Sequence, residues 1–213
     1  KPDSTLLIDA GDYSMGTLFQ AVESTCSPEL RLMGMMGYDA TTVGNHEFDY
    51  TIDGFTASLS AAAESGDALP RYVIANMALP GDDAQSDALR AALNRYGATE
   101  YAVVEKGGCR IGIFGLLGAE AVANAPMSAP AVFEDIRDAA KRTVQILREQ
   151  ENVDLVVCLS HSGTRENPAD SEDEQLAKAV PDIDVIISGH SHTMLAQPII
   201  AGNTIIASCG SDS

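Results

Sequence analysis

Four short apolar runs in this chain each break off into a polar turn rich in reactive side chains, and that repetition constrains the fold more than any other feature. Leu6-Leu7-Ile8 leads to Asp9-Ala10-Gly11-Asp12, and Tyr38 to Val43 leads to Gly44-Asn45-His46-Glu47-Phe48-Asp49. Leu155 to Leu159 leads to Ser160-His161, and Val185-Ile186-Ile187 to Ser188-Gly189-His190-Ser191-His192. The chain has four histidines in all, and every one falls at these junctions. Short apolar runs bounded by glycine read as buried strands. Open α/β sheets bind ligands beyond the carboxyl ends of their strands, so the junctions point to a single polar site there.

Helical patterns alternate with these strands. Ser27 followed by Pro28 predicts a helix start with Ser27 as N-cap. That helix runs from Glu29 to Met36 and stops at Gly37, with Met33, Met35 and Met36 filling gaps in the core. Asp53 to Glu64 is Ala-rich and amphipathic, a shorter helix fits Ala88 to Asn94, and Phe133 to Gln150 carries apolar residues at helical spacing. Tyr101 to Glu105 and Arg110 to Leu117, joined through Gly107-Gly108, read as a hairpin, as do the runs flanking Gly202-Asn203. Thr5 to Asp9 reads as a buried strand, and Gly118 to Pro130 as a long exposed loop. The sum is an α/β fold with a mixed sheet.

Length and charge narrow the function. The 213 residues suffice for one large domain, or at most two small ones. A formal charge of −18 argues against a nucleic-acid partner, which needs clustered Lys and Arg. It leaves room for a small phosphorylated substrate, because bound divalent cations would invert the local field. No apolar run reaches the ~18 residues that span a bilayer. The four cysteines lack C-x-x-C spacing, and Cys109 and Cys158 read as buried small residues in strands.

Asp12, Asn45, His161 and His190 offer one carboxylate, one amide oxygen and two imidazoles from separate strand ends. That donor set suits Zn²⁺, Mn²⁺, Fe²⁺ or Co²⁺ better than Ca²⁺. Asp12 could bridge to a second ion, giving the clamp of two metals roughly 3.5–4 Å apart used in phosphate ester hydrolysis. His192 points to the same side as His190 if the backbone there is extended, and could serve that second ion. His46 is placed to donate to a phosphoryl oxygen or protonate a leaving alkoxide, with Asp49 holding its ring and raising its pKa. Asp9 reads as a strand-end or capping carboxylate, and Glu47 and Tyr13 as supports. Ser160 and Ser162 flank His161, but no G-x-S-x-G elbow accompanies them.

Taken together, Gly11-Asp12-Tyr13-Ser14-Met15-Gly16, Gly44-Asn45-His46-Glu47-Phe48-Asp49, Ser160-His161 and Gly189-His190-Ser191-His192 resemble the calcineurin-like metallophosphoesterases. The likeness is to their 5′-nucleotidase and 2′,3′-cyclic-nucleotide phosphodiesterase branch. It implies a four-layer α/β/β/α sandwich with two divalent metal ions (Zn, Mn, Fe, Co or Mg), Asp12 bridging them. Asn45, His161 and His190 would hold one ion, His192 would help hold the other, and His46 with Asp49 would stabilise the transition state. It further implies a nucleotide substrate and an extracellular, periplasmic or wall-associated location. The chain departs from the family in lacking the Asp-x-His of the opening strand. Residues 1–213 are accordingly expected to form the catalytic domain without that first strand and without a C-terminal substrate-binding domain.

Overall fold

A computed structural model describes residues 3–210; the chain ends on which the expected missing strand and second domain turn lie outside the described residues. A 3₁₀ turn (Leu18–Val22) runs into α1 (Glu23–Cys26), α2 (Pro28–Met36) and β1 (Ala40–Thr41). A second 3₁₀ turn (His46–Phe48) precedes α3 (Thr51–Glu64), β2 (Arg71–Tyr72), β3 (Met77–Ala78) and α4 (Ala84–Tyr96). The hairpin β4 (Tyr101–Lys106) and β5 (Cys109–Leu117) follows, then α5 (Ala119–Ala123), β6 (Val132–Phe133) and α6 (Ile136–Glu149). The chain continues through β7 (Leu155–His161), α7 (Glu172–Ala179), β8 (Val185–Ser188), β9 (Ile199–Ala201) and β10 (Thr204–Ala207).

The main sheet has six strands in the order β4-β5-β7-β8-β10-β9. Its centre, β5-β7-β8-β10, is parallel, and β4 and β9 are antiparallel edges. Side chains alternate across a strand, and here both faces are buried. Phe114, Leu116, Val156, Cys158, Ile186 and Ile206 pack outward with Val144 and Leu147 of α6 and Leu176 of α7. Ile111, Ile113, Val157 and Leu159 pack inward on Ala40 and Val73 of a second, much shorter sheet. That sheet is β1 paired with β2, extended by single bridges from Ile8 to Ala40 and from Val73 to Thr99. On its far side Leu30, Ile52, Phe55, Leu59, Tyr72 and Leu89 form a third apolar layer under α2, α3 and α4. Three apolar layers between four structural ones make an α/β/β/α sandwich.

The inner face of the main sheet is covered unevenly. Val157, Val185, Ile205 and Ile200 stand in one row across β7, β8, β10 and β9. Ile205 is 43% and Ile200 63% exposed, because the short sheet does not reach that far.

Several local expectations need correction. Thr5 to Asp9 forms one bridge, not a buried strand, because only Ile8 and its neighbours have a partner, at Asp39–Ala40. Ser27 takes the N-cap position before Pro28, as expected, but at φ +42° its hydroxyl turns to Ser58 and makes no cap hydrogen bond. Met33 is buried, but Met35 and Met36 are exposed, since α2 rests on the face carrying Leu30 and Met33. Cys109 opens β5 beside the hairpin turn and is exposed, whereas Cys158 is buried. The supposed loop from Gly118 contains α5, and beyond it β6 pairs with β3.

The packing of α1 against α3 yields a prediction. Glu23 is buried, hydrogen-bonded to Ser58, and its Oε2 and Glu29 Oε2 have no protein partner. Burial first, and the neighbouring Glu29 carboxyl second, push the Glu23 carboxyl from 4.5 up to about 8. A folded-state pKa above the unfolded value gives stability that is full at low pH and lost as pH rises through the folded pKa. Stability should therefore decline between pH 4.5 and about 8, and Glu23→Gln should flatten that decline. Urea unfolding at a series of pH values tests this; parallel curves for the two proteins would contradict it.

Candidate metal centre

The site is assembled from strand ends. His161 is the last residue of β7, paired in register with Leu117, and His190 follows β8 by two residues. Asn45 lies past β1, and Asp12 lies past the Ile8 bridge. Two of these residues sit in the left-handed region that side chains rarely adopt, Asp12 at φ +66° and His190 at φ +64°. Each costs about 1–2 kcal/mol, so surrounding contacts must hold them.

The contacts that hold Asp12 are plain. Gly11 lies against Gly44, where a Cβ would come within 2.6 Å of the Gly44 nitrogen, so only glycine lets the two loops meet this closely. Asp9 Oδ2 accepts from the Gly11 amide and the Thr41 hydroxyl, the capping role expected of it. Above all, the buried Glu47 carboxylate accepts from the amides of Asp12, Ser14 and Gly44 and from the Ser14 hydroxyl. The His46 amide in turn donates to Asp12 Oδ1 at 2.9 Å.

These supports bring the donor atoms together. Asp12, His161 and His190 each present a ligand atom within 4.8 Å of the others. Asn45 Oδ1 lies 3.2 Å from His161 Nε2 and 2.9 Å from His190 Nδ1, and Asp12 Oδ2 lies 3.0 Å from His161 Nε2. His161 Nδ1 donates to the Ala10 carbonyl at 2.7 Å, which commits that nitrogen to a proton and aims Nε2 at two oxygen acceptors. An unprotonated Nε2 would face those oxygens lone pair to lone pair. Only a proton or a cation resolves that arrangement, and a backbone acceptor behind the ring is the usual support of a metal-bound histidine. The donor set therefore fits a divalent ion.

Electrostatics agree. Burial disfavours charge on His161, but the Asp12 hydrogen bond and charge outweigh it and raise its pKa. Burial likewise opposes ionisation of Asp12, and His161 more than offsets it. His190 is lowered, first by burial and then by the charge of His161. Glu47 is pushed up to about 7, by burial and then by the charge of Asp12. A buried carboxylate this close to that of the half-buried Asp12 is eased by a cation beside them.

His46 and His192 stand apart from this cluster. The His46 side chain is 37% exposed, with Nδ1 2.8 Å from Asp49 Oδ2. Its burial lowers the pKa, but the Asp49 hydrogen bond, then the Asp12 and Asp49 charges, carry it above the ordinary value. His192 lines the same cavity of about 430 Å³ as Asp12, His161 and His190. It is exposed and outside the group of converging ligand atoms. The reason is the backbone: φ is +64° at His190 and +54° at His192, so the extended spacing that would aim both rings alike does not exist. Sequence reasoning did not find the Ala10 carbonyl, which no residue type signals. It also did not find Glu120, whose carboxylate pairs with Arg165 and lies 4.0 Å from His190 Nε2.

A four-layer sandwich with acid, amide and imidazole donors gathered at its strand ends defines a metallophosphoesterase-type scaffold. The family model for calcineurin-like phosphoesterases matches residues 1–194, and the chain belongs to that family. Calcineurin-like phosphoesterases use divalent metals, and Asp12, His161 and His190 form a group able to hold one. Over 221 residues the chain is 30% identical to the trifunctional nucleotide phosphoesterase protein YfkN of Bacillus subtilis, covering 95% of this chain and 15% of that protein. It is 33% identical to an apyrase of Tabanus yao over 193 residues, covering 90% of this chain and 31% of the apyrase. The crystal structure of a 5′-nucleotidase precursor from Thermus thermophilus superposes with a TM-score of 0.75 at 27% identity, covering 95% of this chain and 39% of that one. The chain thus spans less than a third of the length of the nucleotide phosphoesterase and of the apyrase, and 39% of the 5′-nucleotidase precursor.

Replacing Glu47 by Gln tests how the loops are held. Both carboxylate oxygens accept from N–H groups, so an amide NH₂ in either orientation faces a donor. Each buried donor left unpaired costs about 1–3 kcal/mol. Glu47→Gln should lower stability by an amount in that range and weaken Mn²⁺ binding, as read by urea unfolding and calorimetry. An unchanged unfolding midpoint would show that the clamp contributes nothing.

Proposed function

We propose that this chain is the catalytic domain of a metal-dependent phosphoester hydrolase acting on nucleotides, with release of phosphate from a 5′-nucleotide as the leading reaction. The observation that carries the proposal is the meeting of Asp12 Oδ2, Asn45 Oδ1, His161 Nε2 and His190 Nδ1 at one point. The nucleotide part of it is supported by the names of the relatives, a nucleotide phosphoesterase and a 5′-nucleotidase precursor.

In this reading Asp12, Asn45, His161 and His190 hold a divalent ion, with Zn²⁺, Mn²⁺, Fe²⁺ and Co²⁺ the best matches to the donors. His192, on the wall of the same cavity, contributes to a second ion. Such ions supply Lewis-acid stabilisation of phosphoryl charge and a nucleophilic water at neutral pH. The protein's own contribution beyond ligation is His46. Asp49 Oδ2 accepts a hydrogen bond from Nδ1–H and raises the ring's pKa, leaving Nε2–H to donate to a phosphoryl oxygen or to the leaving oxygen. The family resemblance also carries the proposal of an extracellular, periplasmic or wall-associated location. No helix among the described residues is long and apolar enough to cross a membrane.

One observation favours a second reading. Among the described residues only one group of three or more His, Cys, Asp or Glu ligand atoms converges, as in a module that binds one ion without turnover. Metal-stripped protein with Mn²⁺ added back separates the two, with phosphate release followed from nucleoside monophosphates and 2′,3′-cyclic nucleotides. Metal-dependent release supports the hydrolase, and tight Mn²⁺ binding with no release on any substrate supports the binding module.

His46→Asn should lower turnover roughly 10²–10⁴-fold, the range of a general acid, with metal content unchanged. The amide that steadies Asp12 belongs to the residue 46 backbone and survives the substitution. Parallel loss of metal and activity, measured by elemental analysis and phosphate release, would move His46 into the ligand set.

A further inference from the structure

Behind the ligand cluster, on the helix side of the main sheet, lies a second polar group that the chemistry above does not use. Asp173, in the first turn of α7, is fully buried. Its Oδ1 accepts the Ser160 hydroxyl at 2.6 Å, and Ser162 Oγ lies 2.9 Å from Ser160 Oγ. Its Oδ2 and the Ser188 hydroxyl are both buried without a partner at hydrogen-bond geometry, yet Ser188 is near enough to favour the carboxylate. The Asp173 amide donates to the Gly163 carbonyl at 3.3 Å.

The two serines have a special address. Ser160 and Ser188 are register partners at the ends of β7 and β8, and the Gly189 amide donates to the Ser160 carbonyl at 2.8 Å. One residue after Ser160 comes His161, and two after Ser188 comes His190. A tie at this pair would fix the origin of both imidazoles.

A helix-capping role does not account for Asp173. Ser171 is already the N-cap, accepting from the Glu174 amide, and Glu172 accepts from Ala119 at the start of α5. An acidic residue that only complemented a helix dipole would sit in solvent. Burial pushes the Asp173 carboxyl up to about 7, so keeping a carboxylate at this place is costly. A carboxyl retained there is one the strand ends use.

We propose that Asp173 is a positioning residue of the metal centre, a buried carboxyl that through Ser160 and Ser188 fixes the two strand ends from which His161 and His190 project. The inference rests on the metal-binding reading of those histidines. Supports behind metal ligands typically contribute about 10–100-fold in affinity. The side chain touches neither substrate nor ligand atoms, so it acts on the ion only through the geometry of the histidines.

The test is Mn²⁺ affinity, by calorimetry and by loss of the free-Mn²⁺ electron paramagnetic resonance signal, on four proteins compared at equal folded fraction. Asp173→Ala should bind Mn²⁺ about 10–100-fold more weakly than wild type. Asp173→Asn, which keeps an acceptor for Ser160, should recover most of that loss. Leu147→Ala, a core truncation between α6 and the sheet, should lower stability while leaving affinity within about twofold, the expectation for a site that shares no contact with it. If Asp173→Ala does not fold, Ser160→Ala removes the same tie and should weaken binding in the same direction. Wild-type affinity in Asp173→Ala, or in Ser160→Ala, overturns the proposal, as does an equal loss in Leu147→Ala. Failure of the wild-type protein to bind Mn²⁺ is a different result and overturns the metal reading itself.

Discussion

Glu47 ties together the two loops that follow the Ile8–Ala40 bridge. Its carboxylate oxygens take amides from Asp12 and Ser14 on one loop and from Gly44 on the other, plus the Ser14 hydroxyl. Four donors satisfied at once offset the strain of Asp12 in a left-handed conformation, a cost of about 1–2 kcal/mol. The result is a carboxylate, Asp12, held beside His161 on the opposite sheet. The clamp also packs negative charge on negative charge, since Glu47 is buried next to Asp12 and is raised by that neighbour. An arrangement this unfavourable without a nearby cation is what a metal centre needs before the ion arrives.

The layers of the sandwich explain why such different segments meet. The parallel core of the main sheet points the carboxyl ends of β5, β7 and β8 the same way, and the short sheet brings the ends of Ile8 and β1 over them. Packing on both faces of β7 leaves its polar residues only the end of the strand. There Ser160 faces the helix layer and His161 faces the site, because successive side chains alternate. The Ser160–Asp173 and His161–Ala10 hydrogen bonds therefore lie on opposite faces of the strand end.

Much of this was legible in the sequence, and the parts that were not share a cause. Apolar runs and hairpin glycines located β4, β5, β7 and β8, and helical spacing located α6, within a few residues, since burial on the sheet and helix faces dictates those patterns directly. Asp12, Asn45, His161 and His190 stood out because each follows an apolar run. What the sequence hid depends on contacts made far along the chain. Ile8 has a partner only because residue 40 lies beside it. Met35 and Met36 are apolar but face away from the layer that α2 covers. His192 is two residues from a ligand candidate, and only the left-handed backbone separates their rings. Nothing in the sequence signals Asp173, because the serines it lies beside are 13 and 15 residues away along the chain.

The central claim is that Asp12, Asn45, His161 and His190 share one ion. Anomalous diffraction at the manganese edge, from crystals of this protein soaked in Mn²⁺, tests it without recourse to activity. An anomalous peak is expected within about 2.0–2.2 Å of His161 Nε2, His190 Nδ1, Asp12 Oδ2 and Asn45 Oδ1, the reach of a zinc-like ion to nitrogen and oxygen. A soaked crystal with no peak between these four atoms, or with its strongest peak away from them, would contradict it.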